Sequence, residues 1–188
     1  GKHVFVEKPL AMNDDELNSV LDAAAKSSGR LTVGFNRRFS PSARQTKEFF
    51  AERQSPLSIL YRVNAGRIAK DSWIQDPTQG GGRIVGEVCH FIDLMQYLTG
   101  SITTRVFAES VGSRDSRVTD DDSIFITLRF ADGSNGTIAY LAEGDKALAK
   151  ERIEIFGGGR SCVIDDFRRV SMFAGGRETS KKSIGQDK

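Results

Sequence analysis

The side chains best suited to proton transfer lie between residues 80 and 98. His90 is one of two histidines in the chain, and it lies three residues after Glu87 and three before Asp93. Residues three apart are neighbours on a helix, so both carboxylates lie within one turn of the imidazole. An imidazole beside carboxylates can act as a general acid or base near neutral pH. The same spacing also suits a hydrogen-bonded surface histidine, so this segment alone leaves both interpretations open.

A helix must position these groups, and the apolar pattern predicts one over residues 83–98. Its buried face recurs at spacings of four, three, four and three, the helical period, through Ile84, Val88, Phe91, Met95 and Leu98. Three glycines at 80–82 precede the helix, and Gly100 follows it at the place of a left-handed cap. His90 and Asp93 then share the opposite, polar face.

Two short strands carry polar residues at their carboxyl ends, where open α/β sheets place ligand contacts. The strands are predicted at 4–6 and 31–35, and a helix between them, at 13–28, begins with a capping box from Asn13 to Glu16. The residues that follow the strands are Glu7-Lys8-Pro9 and Asn36-Arg37. Lys8 is equally consistent with a ligand contact and with an ordinary salt-bridged loop. A cis bond before Pro9 would fix the direction of Lys8.

A long loop separates the first half of the chain from the predicted central helix. A helix at 41–53 and a strand at 57–65 come before it, and the loop itself covers residues 66–79. It holds Asp76 and the only tryptophan, Trp73. Loops of this length in a compact domain are usually functional. Trp73 is either a hydrophobic anchor for the loop, which we favour, or a platform for a ligand.

The second half of the chain is rich in strands. Alternating apolar residues and glycine turns predict the following strands: 102–111, 124–130, 136–141, 152–156, 161–165 and a last one at 170–173. The fold class is therefore α/β (α+β), a strand–helix–strand unit followed by an open, mostly antiparallel sheet with helices on one face. The uncovered face keeps large apolar residues, so we expect a homo-oligomer through it.

Composition narrows the function classes. The net charge of +2, with 38% hydrophobic and 28% charged residues, argues against a nucleic-acid partner. No apolar run reaches the roughly 18 residues of a membrane span. The two cysteines have no zinc spacing, so we expect no metal site and a reducing, cytoplasmic compartment. Neither glycine triplet has a nucleotide-binding fingerprint. Because the chain starts without methionine and ends in a polar tail at 186–188, we expect a piece of a longer polypeptide.

Three linked motifs resemble one known family. Glu7-Lys8-Pro9 after a strand, the segment from Gly34 to Pro41 after the next, and Gly80-Gly81-Gly82 followed by His90-x-x-Asp93 are similar in order and separation to the glucose–fructose oxidoreductase, inositol dehydrogenase and MocA-like family. The resemblance covers nearly the whole chain. It implies that residues 1–35 are the C-terminal remnant of an NAD(P)-binding Rossmann domain whose glycine-rich loop lies upstream. Residues 36–188 are then a substrate and oligomerisation domain.

The resemblance also implies an activity and a site. The activity is NAD(P)-dependent hydride transfer to or from a sugar, cyclitol or related polyol, with the isolated piece inactive. Catalytic roles fall to Lys8, His90 and Glu87, and cofactor contacts to Glu7, Lys8 and Pro9. The implied substrate contacts are Asn36, Arg37, Asp76, Arg83 and Asp93. The chain is also similar to members fused behind a zinc alcohol dehydrogenase-like module, so an upstream module of that kind is an alternative.

One residue departs from the family pattern. The family commonly has an aspartate four residues before the histidine, and this chain has Gly86 there. Glu87 can take over the orienting role at three residues' spacing, or the relay is altered. A non-catalytic relative that binds a ligand or serves as a scaffold is therefore the alternative function. Substrate identity, reaction direction and the choice between NAD and NADP are not determined by these residues.

Overall fold

The chain divides into two compact units. The computed structural model describes residues 1–76, 78–112 and 122–183, so the predicted tail at 186–188 lies outside the described residues. The first unit comprises Gly1–Phe35 and Asp71–His90, and the second comprises Asn36–Lys70 and Phe91–Lys188. In the described part of the chain, none of the helices combines the length and the apolar character that a membrane crossing requires.

The first unit opens with the predicted strand–helix–strand. Strand β1 (Val4–Val6) pairs in parallel with β2 (Leu31–Val33), and helix α1 (Asp14–Ala25) connects them. The side chain of Asn13 accepts a hydrogen bond of 2.9 Å from the Glu16 backbone N–H, as the capping signal predicted. Both strand ends are therefore on the same edge of this small sheet.

Helix α1 is shorter and more exposed than the sequence predicted. It ends at Ala25 rather than near residue 28, and none of its residues is buried. Leu21, one of its apolar residues, is 51% exposed. The strands β1 and β2, with three residues each, offer this helix little surface to pack on.

The second unit is built on an eight-stranded sheet. Its strands are β3 (Ser58–Asn64), β4 (Thr103–Ser110), β5 (Ile124–Phe130), β6 (Asn135–Leu141), β7 (Glu151–Gly157), β8 (Arg160–Asp165), β9 (Arg169–Ala174) and β10 (Arg177–Lys182). The order across the sheet is β10-β9-β8-β7-β3-β6-β5-β4. The β3–β6 pair is parallel and the other pairs are antiparallel, so the predicted open, mostly antiparallel sheet is confirmed.

The sequence missed the last strand. The prediction ended the sheet at residues 170–173, whereas β10 continues from Arg177 to Lys182 and pairs along its whole length with β9. Its six residues are polar and exposed. A polar segment carries no period-2 signal, because alternation arises only where one face of a strand is buried.

Two helices cover one face of the sheet. Helix α2 (Pro41–Phe49) packs on β8 and β9, and it begins at Ser40, whose hydroxyl accepts a 3.2 Å hydrogen bond from Ala43 N–H. Helix α3 (Cys89–Thr99) packs on the same face through Phe91, whose ring lies 4.9 Å from that of Tyr61 on β3. The core of this unit lies between these helices and the sheet. Its largest fully buried side chains are Tyr61, Tyr140, Phe50, Phe91, Phe130, Phe167, Leu57, Ile59, Leu94, Met95, Leu98 and Leu128.

The opposite face of the sheet carries exposed apolar side chains. Leu60, Phe125 and Phe156 alternate along their strands with buried residues, and Phe107 lies on β4, whose residues are almost all exposed. Large exposed apolar side chains on one sheet face are a feature of interaction surfaces.

Candidate active site

The glycine-rich segment forms a tight turn in the first unit. The backbone N–H groups of Gly80 and Gly81 each donate a 2.9 Å hydrogen bond to the Asp76 carbonyl. A Cβ on Gly80 would lie 2.4 Å from the backbone of Ile74, so a larger residue cannot be placed there. Gly81 and Gly82 have φ angles of +66° and +81°, which favour glycine.

A π-helical turn follows the glycines and was not predicted. Gly82 and Arg83 start the helix, Ile84–Val88 form π-helix, and regular α-helix continues over Cys89–Thr99. The sequence predicted one continuous α-helix over 83–98. Most of its predicted buried face is confirmed, since Val88, Phe91, Met95 and Leu98 are buried. π-Helical turns are rare and occur frequently at functional sites.

Lys8 reaches this turn. Its ammonium donates a 2.7 Å hydrogen bond to the carbonyl oxygen of Gly86. Lys8 follows β1 directly, and the Lys8–Pro9 peptide bond is cis. Of the two interpretations left open for Lys8, the salt-bridged loop is not observed, because its partner in the described part of the chain is a neutral carbonyl. The structure therefore brings the strand-end lysine to the turn that contains Glu87 and precedes His90.

His90 is buried, not solvated. Only 7% of the residue is exposed, and its ring packs edge-on against Phe35, with centroids 6.0 Å apart. Phe35 lies just past the end of β2, so the two strand ends of this unit supply Lys8 and the ring that packs on His90. The adjoining residues of the turn are also enclosed: Arg83 is buried and Glu87 half-buried.

Asp76, predicted as a substrate contact, organises its own loop. Its carboxylate accepts hydrogen bonds from the backbone N–H and hydroxyl of Thr78, both at 2.7 Å, and from the Gln79 amide at 2.8 Å. The Thr78 hydrogen bonds, with those of Gln79, hold the pKa of this carboxyl below its usual value. Trp73 lies in the same loop and is 65% exposed, so the favoured prediction that it anchors the loop in a core is wrong.

Arg37, another predicted substrate contact, is committed to a buried ion pair in the second unit. Its guanidinium donates to both carboxylate oxygens of Glu151, at 2.7 and 3.0 Å. It also lies 5.0 Å from the centroid of the Phe91 ring. The hydroxyl of Tyr61 donates to the same carboxylate. This arrangement favours a structural role for Arg37.

The other predicted contacts in the second unit differ in their surroundings. Asp93 is buried and pairs with Arg38, whose Nε lies 2.9 Å from Oδ2 in a two-pronged contact. Asn36 is exposed. The spacing placed Asp93 on the polar face of the helix but identified neither its burial nor its partner.

Glu151 and Arg38 are the polar residues that the sequence analysis missed. The alternation along β7 could have identified Glu151. It lies two and four residues before Ile153 and Ile155, so it is on the same, buried face of the strand. A charged residue in a buried register predicts a partner, although not which one. Within residues 1–76, 78–112 and 122–183, no group of three or more His, Cys, Asp or Glu side chains could hold a metal ion.

The first unit therefore contains two groups for proton chemistry: the Lys8 ammonium, which donates to the Gly86 carbonyl, and the buried His90 imidazole four residues further along the chain. The ammonium has three N–H donors and gives one to Gly86. Such a pair can stabilise a developing alkoxide and accept its proton.

The family comparisons agree with the architecture. A family model described as the GFO/IDH/MocA C-terminal domain matches residues 56–161, and one described as the oxidoreductase family, NAD-binding Rossmann fold, matches residues 1–35. The first match alone covers more than half of the chain.

Individual relatives are similar over most of the chain. The uncharacterized oxidoreductase YrbE of Bacillus subtilis is 30% identical over 176 residues, which cover 91% of this chain and 50% of that protein. The myo-inositol 2-dehydrogenase of Thermotoga maritima is 27% identical over 174 residues, 91% of this chain and 52% of its own length. The chain thus spans about half the length of the curated relatives it matches.

A solved structure shows the same fold. An inositol dehydrogenase homologue from Azotobacter vinelandii, crystallised as a complex with NAD+, matches with a TM-score of 0.80 at 17% identity. The match covers 96% of this chain and 50% of that one. Together with the motifs and the two family matches, this places the chain by descent: it belongs to the GFO/IDH/MocA oxidoreductase family.

Proposed function

We propose that this chain is the C-terminal part of an NAD(P)-dependent oxidoreductase that transfers hydride between the nicotinamide and a hydroxyl-bearing carbon of a sugar, cyclitol or related polyol. The observation that carries the proposal is the 2.7 Å hydrogen bond from Lys8 to Gly86, because it brings a strand-end ammonium to the turn before the buried His90. The names of the relatives, which include myo-inositol 2-dehydrogenase, support the substrate class.

The proposed roles follow from the groups available. Lys8 donates a hydrogen bond to the reacting hydroxyl and stabilises the alkoxide that forms as its proton leaves. His90 accepts that proton while the carbon–oxygen double bond forms, and Glu87 orients the imidazole. A bound nicotinamide would supply the acceptor for the hydride that leaves the same carbon. In the reverse direction His90 returns the proton.

The first unit fits a dinucleotide at its strand ends. The parallel β1–β2 pair with its crossover helix is the arrangement in which such ligands lie outside the carboxyl ends of the strands. We assign the nearest contacts to Glu7, Lys8 and Pro9, with the phosphate-binding glycine loop in upstream sequence. We therefore expect residues 1–188 alone to be inactive, and saturable micromolar binding of NADH by this piece would contradict that expectation.

Two of the five predicted substrate contacts, Arg83 and Asn36, are kept in the proposal. Arg83 stays a candidate because it is buried in the same turn as Gly86. Asn36 stays one because its side chain is exposed. Arg37, Asp76 and Asp93 were predicted as contacts, and their hydrogen bonds and ion pairs support positioning roles instead.

Three further parts of the proposal concern the whole protein. We propose that residues 1–35 end a dinucleotide domain and that 36–188 form a substrate and oligomerisation domain. The exposed apolar face of the sheet supports a homo-oligomer. The two free cysteines support a reducing, cytoplasmic compartment.

A non-catalytic, ligand-binding relative is the second candidate, and Gly86 is the observation that favours it. Its test is the same as that of the enzyme. The full-length protein is assayed for NAD and NADP reduction with a panel of sugars and inositols, as wild type, Lys8→Ala and His90→Ala, with the exposed Lys26→Ala as control.

The two candidates predict different results. Removal of a positioned acid or base costs about 10²-fold or more in kcat, so we expect both site variants to lose that much and Lys26→Ala to lose nothing. If no substrate reduces either cofactor while NADH still binds, the enzyme proposal is overturned and the ligand-binding candidate replaces it.

A further inference from the structure

We propose that Gly86 is a specificity-determining residue and that the substrate is a polyhydroxy carboxylate, whose carboxylate is bound by the Lys8 ammonium. This inference rests on the proposed function, since it names the substrate class of that same site. It depends on three features of the first unit: the neutral partner of Lys8, the hydrogen bonds that occupy the Asp76 carboxylate, and the space beside Gly86.

The positive charge of Lys8 is not neutralised by its partner. The ammonium is half-buried and donates to the carbonyl oxygen of Gly86, which carries no net charge. Two of its three N–H donors remain for other acceptors. One can bind the reacting oxygen and the other a neighbouring carboxylate oxygen, so an acid with a hydroxyl near the carboxylate suits both donors.

The acidic residues near the turn do not take this place. The Asp76 carboxylate is occupied by three hydrogen bonds within its own loop. The Glu7 carboxylate lies over Gly34, where a Cβ would be 3.2 Å from its Oε2. Glu87 is half-buried on the same turn as Gly86, and the hydrogen bond of the Lys8 ammonium goes to the Gly86 carbonyl oxygen.

Gly86 leaves space where a side chain could stand. Apart from its chain neighbours and the backbone of its own helix, a Cβ built on it would meet a single atom within 4 Å, the Gly80 carbonyl oxygen at 3.8 Å. Its φ angle is not in the left-handed region that requires glycine. An aspartate at position 86 would therefore fit. Because the carbonyl of this same residue accepts the hydrogen bond of Lys8, the carboxylate would lie within the distance of about 4–6 Å at which charges interact strongly. With glycine, that role is open to a carboxylate of the substrate.

Gluconate and glucitol test the proposal, because they differ only in whether carbon 1 is a carboxylate or a hydroxymethyl group. Binding of each to the full-length protein with NADH is measured by titration calorimetry, for wild type, Gly86→Asp and Gly86→Asn. We expect wild type to bind gluconate at least ~10-fold more tightly than glucitol, the gain typical of a charge-assisted hydrogen bond. Gly86→Asp should abolish the preference, and the neutral, equally sized Gly86→Asn should keep it.

Binding of neither ligand, equal binding of both, or the same preference in the Asp and Asn variants would overturn the proposal. The circular dichroism melting curve of each variant shows whether it folds, and Lys8→Gln offers a second variant that should lose the preference if Gly86→Asp does not fold. Calorimetry needs no turnover. A gluconate preference without hydride transfer would therefore overturn the proposed enzyme activity and support the carboxylate site at Lys8. Turnover of neutral polyols alone would support the enzyme activity and overturn the carboxylate site.

Discussion

Glu151→Ala removes the carboxylate partner of a buried guanidinium, and we expect it to destabilise the second unit strongly. The side chains of Arg37 and Glu151 are 5% and 1% exposed. Removing one partner of a buried ion pair leaves an uncompensated charge and costs about 3–5 kcal/mol. For a chain of this size each kcal/mol lowers the melting temperature by roughly 2–4 °C. The expected fall in melting temperature is therefore on the order of 10 °C.

Urea unfolding followed by two probes measures this cost. Far-UV circular dichroism reports mainly the sheet of the second unit, and the fluorescence of the single tryptophan, Trp73, reports the first unit. We expect the dichroism midpoint to fall in Glu151→Ala. The control is Glu143→Ala, whose partner Arg67 forms an exposed pair, and exposed pairs contribute about 0–1 kcal/mol.

A second variant separates the charge from the packing. In the triple variant Arg37→Met, Tyr61→Phe and Glu151→Leu, the whole buried polar set becomes apolar, an exchange that is often neutral or stabilising by about 1–4 kcal/mol. We expect the triple variant to be more stable than Glu151→Ala. The reasoning is refuted if Glu151→Ala costs no more than Glu143→Ala, or if the triple variant is as unstable as the single one.

Three further predictions concern the second unit. Burial, reinforced by the Glu151 carboxylate, raises the pKa of the Tyr61 hydroxyl well above its usual value. The unfolded chain then loses this proton first, so the contribution of Tyr61 to stability is constant below about pH 10 and falls above it by up to ~1.4 kcal/mol per pH unit. We expect pH-dependent urea unfolding to show a smaller slope in Tyr61→Phe. Ser40→Ala removes the cap of α2 and should lower the free energy of unfolding in urea by about 1 kcal/mol. A substitution at an exposed helix position serves as the control and should leave it unchanged. Burial raises the pKa of the Cys162 thiol to about 11, so Ellman's reagent at pH 8 should label it only after unfolding, and rapid labelling of the folded protein would contradict its burial.

Local signals in the sequence were sufficient for most elements. Asn13 caps its helix as predicted, and Ser40 caps α2 in the same way, because a side-chain oxygen at the first position satisfies a backbone donor whatever the tertiary context. Gly133, with φ of +90°, stands in the turn between β5 and β6 for a similarly local reason. Period-2 alternation identified β3 and β5 because one face of each strand is buried.

These local signals did not predict which strands pair or which charged residues contact each other. The parallel pairing of β3 with β6 joins segments about 77 residues apart, as Ser58 opposite Asn135 shows, and alternation is the same for parallel and antiparallel neighbours. The same limit applies to charged residues at the candidate site. Arg37 and Asp93 were predicted as substrate contacts, and their observed partners Glu151 and Arg38 are fixed by tertiary packing alone.

The turn at Ile84–Val88 shows why side-chain motifs alone misjudge Gly86. A motif compares side chains, and by that measure the glycine is a loss of the acceptor that the family commonly places there. Ile84–Val88 is π-helical, so its backbone departs from the regular i to i+4 ladder. Gly86 supplies such a carbonyl to Lys8. The ammonium is therefore still positioned, and what the substitution changes is the charge of its surroundings. A change of charge beside Lys8 acts directly on which substrate binds. It acts less directly on proton transfer, so the departure from the family pattern favours altered specificity over lost catalysis.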